Sequence, residues 1–465
     1  MTALSNRIPS LPLVTTLFGV AAAAFTAQLI ARQSLTLTFW VLTGVLLLII
    51  SFLHTRLAIY VIIFSMLLSP EVSLGFTTGR RDLTVRFEDL LLILVGLAWL
   101  ARTAYYKELG LIARSPLNRQ IAAYSIAAVI ATLVSGWLAP LNWSRSLLYL
   151  AKYMEYFVLY FLVLTNVRSR ADIKNYLAAA FITCLVVAVV GIAQIPGGAR
   201  VSAPFEGETG EPNTFGGYLV LMLSLASAFY LTARSLQQRL FCAAFIALLG
   251  LPLLYTLSRG SWLALAGMFL ALLAYAPDKK HLVVAGALAL GLYPVLAPRQ
   301  VIERVDYTFN QPEESGQMAM GDRRLDTSTS ARIRSWRYGI EGWARRPLTG
   351  YGVAGFAFMD AQYVHVLTET GILGMVTFVW LTWSIWRLAR DRLRRADDRF
   401  ARALSLGYLA GFLALLVHGI GANTFIIIRI MEPFWLFTAL VVALPHTKGD
   451  EQSPSDSQAS RSGAA

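Results

Sequence analysis

Apolar runs of about 17 to 22 residues, the length a helix needs to cross the hydrocarbon core of a bilayer, recur along the whole chain. Within a bilayer every backbone N–H and C=O must find its partner internally, so only helices and closed barrels can span it. These runs lack the period-2 alternation of barrel strands, and helices are the expected spanning structure. Fourteen candidate spans begin near Leu11, Leu35, Leu57, Phe87, Arg119, Leu147, Lys174, Asn213, Leu240, Ser261, His281, Val366, Ala401 and Thr424. The third, Leu57 to Ser69, is short enough to be re-entrant, which gives a range of twelve to fourteen. The first run has no strongly basic start and no small-residue cleavage pattern, and reads as a retained helix. The expected fold is an all-α polytopic membrane protein.

Composition agrees with that fold. Hydrophobic residues make up 56% of the chain and charged residues 14%, against roughly 25% charged in soluble domains. Lysine and arginine concentrate on the segments that fourteen spans and a cytoplasmic N-terminus would leave in the cytoplasm, with seven arginines between Arg387 and Arg402. Both termini are therefore expected in the cytoplasm, and the long loop outside it. Residues 1–297 are expected to form the N-terminal helices, 298–365 a large loop on the non-cytoplasmic face, 366–445 the C-terminal helices, and 446–465 a polar, disordered cytoplasmic tail. The net charge of +13 is scattered around the spans and builds no continuous basic face, so nucleic acid is not an expected partner. Cys184 and Cys242 both lie in apolar runs, and no His/Cys metal spacing occurs, so neither a disulfide nor a metal site is expected.

The long loop carries nine arginines, which orientation does not explain. Read as a helix, Ala331–Arg346 places Ile333, Trp336, Ile340 and Trp343 on one apolar stripe, as in a helix lying in the membrane interface. Arg332 falls toward that stripe, unlike its neighbours. Three further clusters sit at span ends on the same outer face. Glu211-Pro212-Asn213 is a helix-start signature, followed by Gly216-Gly217. Ser258-Arg259-Gly260 places an arginine where cytoplasmic anchoring gives no reason for one, which leaves snorkelling to lipid headgroups or binding of a substrate anion. Its planar donor fork suits a phosphate. Beyond Pro347-Leu348-Thr349-Gly350-Tyr351-Gly352, the next span opens with Asp360 at its mouth. Helical spacing turns His365 and Glu369 away from Asp360, so these three cannot share one site unless the start of the helix is unwound; His365 reads as packing and Glu369 as paired with a neighbouring helix.

These four clusters, in this order, resemble the O-antigen ligase and O-antigen polymerase family of bacterial membrane glycosyltransferases. Asp360 followed by Glu369-Thr370-Gly371-Ile372-Leu373-Gly374 completes the set, and the resemblance covers about residues 200 to 385 directly. It implies a bacterial inner-membrane protein whose long loop is periplasmic, an oligosaccharide donor linked to undecaprenyl pyrophosphate, an acceptor glycan, and transfer on the periplasmic face without nucleotide, cofactor or obligatory metal. Arg259 and Arg332 would then stabilise the leaving pyrophosphate, and Asp360 or Glu211 would serve as general base. Asn213, Arg334, Gln362 and Tyr363 are further candidate substrate contacts. The ligase branch carries His then Asn where this chain has Asp360-Ala361, which shifts the expectation toward a polymerase of surface-polysaccharide repeats. A partly buried carboxylate can still act as base there. A ligase acting on lipid A-core is the nearest alternative, and a non-catalytic transporter of lipid-linked oligosaccharide is the alternative of another class. The bilayer itself and a chain-length regulator protein are the remaining expected partners.

Overall fold

In the computed structural model, which describes residues 35–77, 82–105, 114–206, 210–320, 323–357 and 359–447, helices begin within four residues of thirteen of the fourteen expected span starts. The run near Leu11 and the tail beyond residue 447 lie outside the described residues. The chain forms two compact units, residues 1–62 with 90–111 and residues 63–89 with 112–465.

In the first unit lie α1 (Leu35–Leu53) and most of α2 (Thr55–Leu68) and α3 (Phe87–Tyr105). Arg102 donates to the carbonyls of Phe52 and Leu53 at 3.2 and 3.3 Å, closing the end of α1 where helix carbonyls lack partners.

The second unit contains α4 (Asn118–Leu138), α5 (Trp143–Asn166), α6 (Arg170–Gln194), α7 (Pro212–Thr232), α8 (Leu236–Tyr255), α9 (Arg259–Tyr275) and α10 (Lys280–Leu296). The loop helices α11 (Arg299–Asn310) and α12 (Thr327–Arg345) follow, then α13 (Gln362–Arg394), α14 (Arg399–His418) and α15 (Ile428–Ala443). Among the described residues, eight helices are long and apolar enough to cross a membrane. Two antiparallel hairpins, β1 (Glu71–Thr77) with β2 (Asp82–Arg86) and β3 (Ala319–Met320) with β4 (Arg323–Arg324), are small additions to the all-α body.

Helix ends follow local chemistry. Ser169 and Asp172 form a reciprocal capping box at the start of α6, and Asp398 accepts from the Ala401 N–H to cap α14. Each such cap stabilises its helix by about 1 kcal/mol. Helix α15 is buried along its whole length, including the ionisable side chains of Arg429 and Glu432 near its start. Helix α7 packs along α14, where a Cβ on Gly407 would sit 2.7 Å from the Leu225 Cα. Small residues set that close approach, and the Ser224 hydroxyl donates across it to the Gly407 carbonyl at 2.8 Å. Helix α14 also packs against α9, α13 against α4, and α15 against α5.

The loop helix differs in detail from its expected stripe. Its buried positions are Ser330 and, on the expected apolar segment, Gly339 and Gly342, which face Val364, Met359 and Phe356, while Ile340 is 48% exposed. Close approach to the start of α13, more than bulk, decides which face of α12 is covered.

Candidate active site

Ser258 caps α9 by accepting from the Ser261 N–H at 3.2 Å, which leaves Arg259 as the first helical residue. Arg259 donates through both terminal nitrogens to Asp326, at 2.8 and 2.9 Å, and to the Thr308 hydroxyl at 3.0 Å. Asp326 in turn caps α12, accepting from the N–H groups of Ser328 and Thr329 at 3.1 Å each. Burial alone would raise the Asp326 carboxyl, but the hydrogen bonds from Arg259 and Thr329 hold it well below the usual carboxylate range. One buried fork–carboxylate pair thus ties α9, α11 and α12 together, and removing one partner from such a pair typically costs about 3–5 kcal/mol.

Around this pair three more guanidiniums gather. Arg332 is half-buried, and the charges of Arg259, Asp360, Asp326 and Arg304 act on it. Arg200 donates to the Thr256 carbonyl at 2.9 Å and reaches the Asn213 side-chain oxygen at 3.5 Å. Arg304 has a buried Nε with no hydrogen-bond partner. Burial, then mutual repulsion among the arginines, lowers the proton affinity of Arg200, Arg304 and Arg332. Asp326 and Asp360 are the carboxylates that act on these arginines, and Asp326 is already bonded to Arg259. The cluster therefore carries an excess of positive charge.

The N-termini of α7 and α9 lie beneath it and add their positive dipole ends. They meet at His418, the last residue of α14. Its Nε2 lies 3.3 Å from the Ser261 hydroxyl, and its Nδ1 lies 2.8 Å from the Thr424 hydroxyl. Gly216-Gly217 makes room for this contact: a Cβ on Gly216 would stand 2.1 Å from the Ser261 Oγ, and one on Gly217 3.0 Å from the His418 ring. Glu211 occupies the N-cap of α7 but does not close the cap with its side chain, which accepts from the Thr214 hydroxyl at 2.8 Å.

The Glu211 backbone N–H donates to Glu206 at 2.8 Å, and Glu206 lies 3.6 Å from the fully buried Arg429. Arg429 also holds the carbonyls of Pro204 and Ser69, at 2.8 and 3.1 Å. Burial pushes the Glu206 carboxyl from its ordinary 4.5 up to about 7, against the pull of Arg429. Between those two values an unfolded chain ionises Glu206 while the folded chain keeps its proton, so stability falls as pH rises through that window and levels off above it. The melting temperature in detergent should therefore decline from about pH 5 to pH 7, and Glu206→Gln should shrink that decline. An unchanged slope in the variant would remove Glu206 as its origin.

Asp360 is exposed rather than partly buried, but the backbone around it is fastened. Asn423 accepts from the Ala361 N–H at 3.2 Å and donates to the Met359 carbonyl at 2.6 Å. Gln362 accepts from the Phe425 N–H at 2.8 Å, and the Tyr363 hydroxyl donates to the Leu416 carbonyl at 2.6 Å. Both side chains help hold the mouth of α13 in place. Arg334 stands apart, exposed and donating to the Gly316 carbonyl. Arg259, Arg332 and Asp360 are brought together, with Asn213 joined to them through Arg200.

The two glycine motifs of the loop and of α13 form one clasp. Tyr351 and Gly352 donate to the carbonyls of Thr368 and Glu369 at 2.9 and 2.8 Å, and Ile372 donates to the Pro347 carbonyl at 2.8 Å. Helix α13 breaks at Gly371, whose φ of 63° is a conformation that side chains with a Cβ rarely adopt. Glu369 accepts from the Ala354 N–H at 2.7 Å and from the Tyr153 hydroxyl of α5 at 3.0 Å, with His365 3.2 Å away. His365 and Glu369 are buried together behind the clasp, consistent with the packing and pairing expected of them.

Residues 242–379 match the family model described as O-antigen ligase. The match supports the O-antigen ligase and polymerase family, and it spans Arg259, the whole loop, Asp360 and the clasp. The activity it supports is that of an O-antigen ligase- or polymerase-type membrane glycosyltransferase, acting on a lipid-linked glycan in the bilayer. No curated protein matches the chain.

Arg200, Arg304, Asp326 and His418 were not singled out from the sequence. Asp326 carried a signal, since Asp before Thr-Ser-Thr-Ser is a helix-cap pattern. Arg304 was one loop arginine among nine, and nothing in the order of residues separates it from the others.

Proposed function

We propose that this chain moves an oligosaccharide from undecaprenyl pyrophosphate to an acceptor sugar hydroxyl at the periplasmic face, polymerising surface-polysaccharide repeat units. The observation that carries this reading is the gathering of Arg200, Arg259, Arg304 and Arg332 over two helix N-termini, beside the exposed carboxylate of Asp360. In the proposed step Asp360 takes the acceptor hydroxyl proton, and the freed oxygen pair forms a bond to the anomeric carbon. The bond from that carbon to the pyrophosphate oxygen breaks, and the lipid pyrophosphate leaves with the electron pair. Arg332, Arg304 and Arg200, with Arg259 behind them, neutralise the charge as it develops. The Nε of Arg304, buried and unbonded, gains a partner when a phosphate oxygen arrives.

Aspartate at the base position favours polymerisation over transfer to lipid A-core, since the ligase branch places histidine there. Reconstitution of the purified protein with a lipid-linked repeat unit tests the reading. A ladder of products without a core acceptor is expected. A single transfer that needs lipid A-core would assign a ligase, and lipid movement between leaflets without turnover would assign a transporter.

A further inference from the structure

The far ends of α9, α13 and α14 enclose a second basic site, at the other end of the helices that carry the arginine cluster. Helix α9 runs from Arg259 at the cluster to Tyr275, and α14 runs back from Arg399 to His418. At 1.5 Å per residue each is about 25 to 30 Å long, close to the hydrocarbon thickness of a bilayer. Between those far ends lies a cavity of about 420 Å³ lined by Arg390, Arg394 and Arg402, with Tyr275, Pro277 and Leu393.

Orientation and helix dipoles explain many basic residues at such a face, but not this arrangement. Arg402 lies in the first turn of α14, where the dipole disfavours a cation. The neighbouring carboxylate of Asp398 is taken by Arg170, and neither Arg394 nor Arg402 has an ion-pair partner among the described residues. Arg390 lies over the Trp386 ring at 5.2 Å, and the Trp386 indole N–H donates to the Tyr275 hydroxyl at 3.3 Å. Trp383, 55% exposed, stacks near Trp386 at 4.7 Å. Tryptophan and tyrosine beside unpaired arginines mark headgroup depth. Three guanidiniums around one concavity match the oxygens of a phosphate ester.

We propose that this cavity binds the phosphate of an anionic phospholipid headgroup, at the membrane face opposite the candidate active site. The inference does not depend on the glycosyl-transfer reading, because it uses none of that site's residues. The probe is the full-length protein in nanodiscs of phosphatidylcholine with or without cardiolipin, with inorganic phosphate as a separate arm. Cardiolipin should remain bound through delipidation and raise the melting temperature. Arg394→Gln with Arg402→Gln should weaken that binding about 10-fold or more, the scale of losing charge-assisted hydrogen bonds. Arg387→Gln with Arg395→Gln removes the same charge outside the cavity lining and should leave binding near wild type. Arg394→Lys with Arg402→Lys keeps charge and insertion but lacks the fork, and should bind measurably less well. Equal loss in the Arg387/Arg395 pair, or full binding in the lysine pair, would overturn a built site in favour of diffuse surface charge. Stabilisation by inorganic phosphate with no response to cardiolipin would overturn the lipid and point to a soluble phosphate ester.

Discussion

Asp360→Asn should lower the transfer rate by about 100-fold or more, the usual contribution of a general base, while leaving insertion and melting temperature near wild type. The expectation of an unchanged fold is physical. The Asp360 side chain is exposed, and the turn it sits on is held by Asn423, Gln362 and Tyr363 through neighbouring residues. Asparagine keeps the size of the side chain and removes its capacity to take a proton, so the loss should appear in kcat with little change in KM for the donor. The competing base is Glu211, at the entrance to α7 and engaged by the Thr214 hydroxyl. A near-normal rate in Asp360→Asn, with the loss moved to Glu211→Gln, would transfer the role. Loss of folded protein in Asp360→Asn would instead show that the carboxylate holds the turn.

Much of the membrane architecture was legible because it depends on composition over long windows. Thirteen described helices begin close to the apolar runs that announce them, and two further helices form within the long polar segment. What periodicity could not give was the identity of each contact. The apolar stripe of α12 did not reveal which positions are buried against protein; these are Ser330, Gly339 and Gly342, the two glycines where α12 closely approaches Val364 of α13 and, before it, Phe356 and Met359. Gln362 and Tyr363 lie close to Asp360 in sequence, but spacing alone does not reveal that the Gln362 side-chain oxygen accepts from Phe425 between α14 and α15, or that the Tyr363 hydroxyl donates to Leu416 within α14. Arg200 and Arg304 join the site from segments about 130 and 30 residues away from Arg332, distances over which sequence spacing carries no geometric information. The glycine motifs were legible as breaks, and only the hydrogen bonds between Pro347–Gly352 and Thr368–Leu373 reveal that the two breaks serve each other.

Arg332→Ala and Arg259→Ala should both suppress transfer, but for separable reasons. Arg332 makes no bidentate pair and lies among Arg259, Arg304 and Asp360, so its removal should cost about 100- to 1000-fold in kcat, as for other groups that stabilise charge in the transition state. Melting temperature should barely change, and removal of one guanidinium from a mutually repelling cluster relieves repulsion. Arg259 differs because both terminal nitrogens hold Asp326. Arg259→Ala leaves that carboxylate buried without its partner, a change worth about 3–5 kcal/mol, and should loosen α12 as well as slow the reaction. Adding Asp326→Ser to Arg259→Ala removes the orphaned charge and keeps a hydroxyl that can cap α12. The double variant should therefore regain stability without regaining the rate, since the cluster still lacks one of its four cations. Full recovery of rate in the double variant would confine Arg259 to fastening the loop, and a normal rate in Arg332→Ala would sink the pyrophosphate clamp altogether. The comparison separates a guanidinium that meets the substrate from one that holds the wall it binds against.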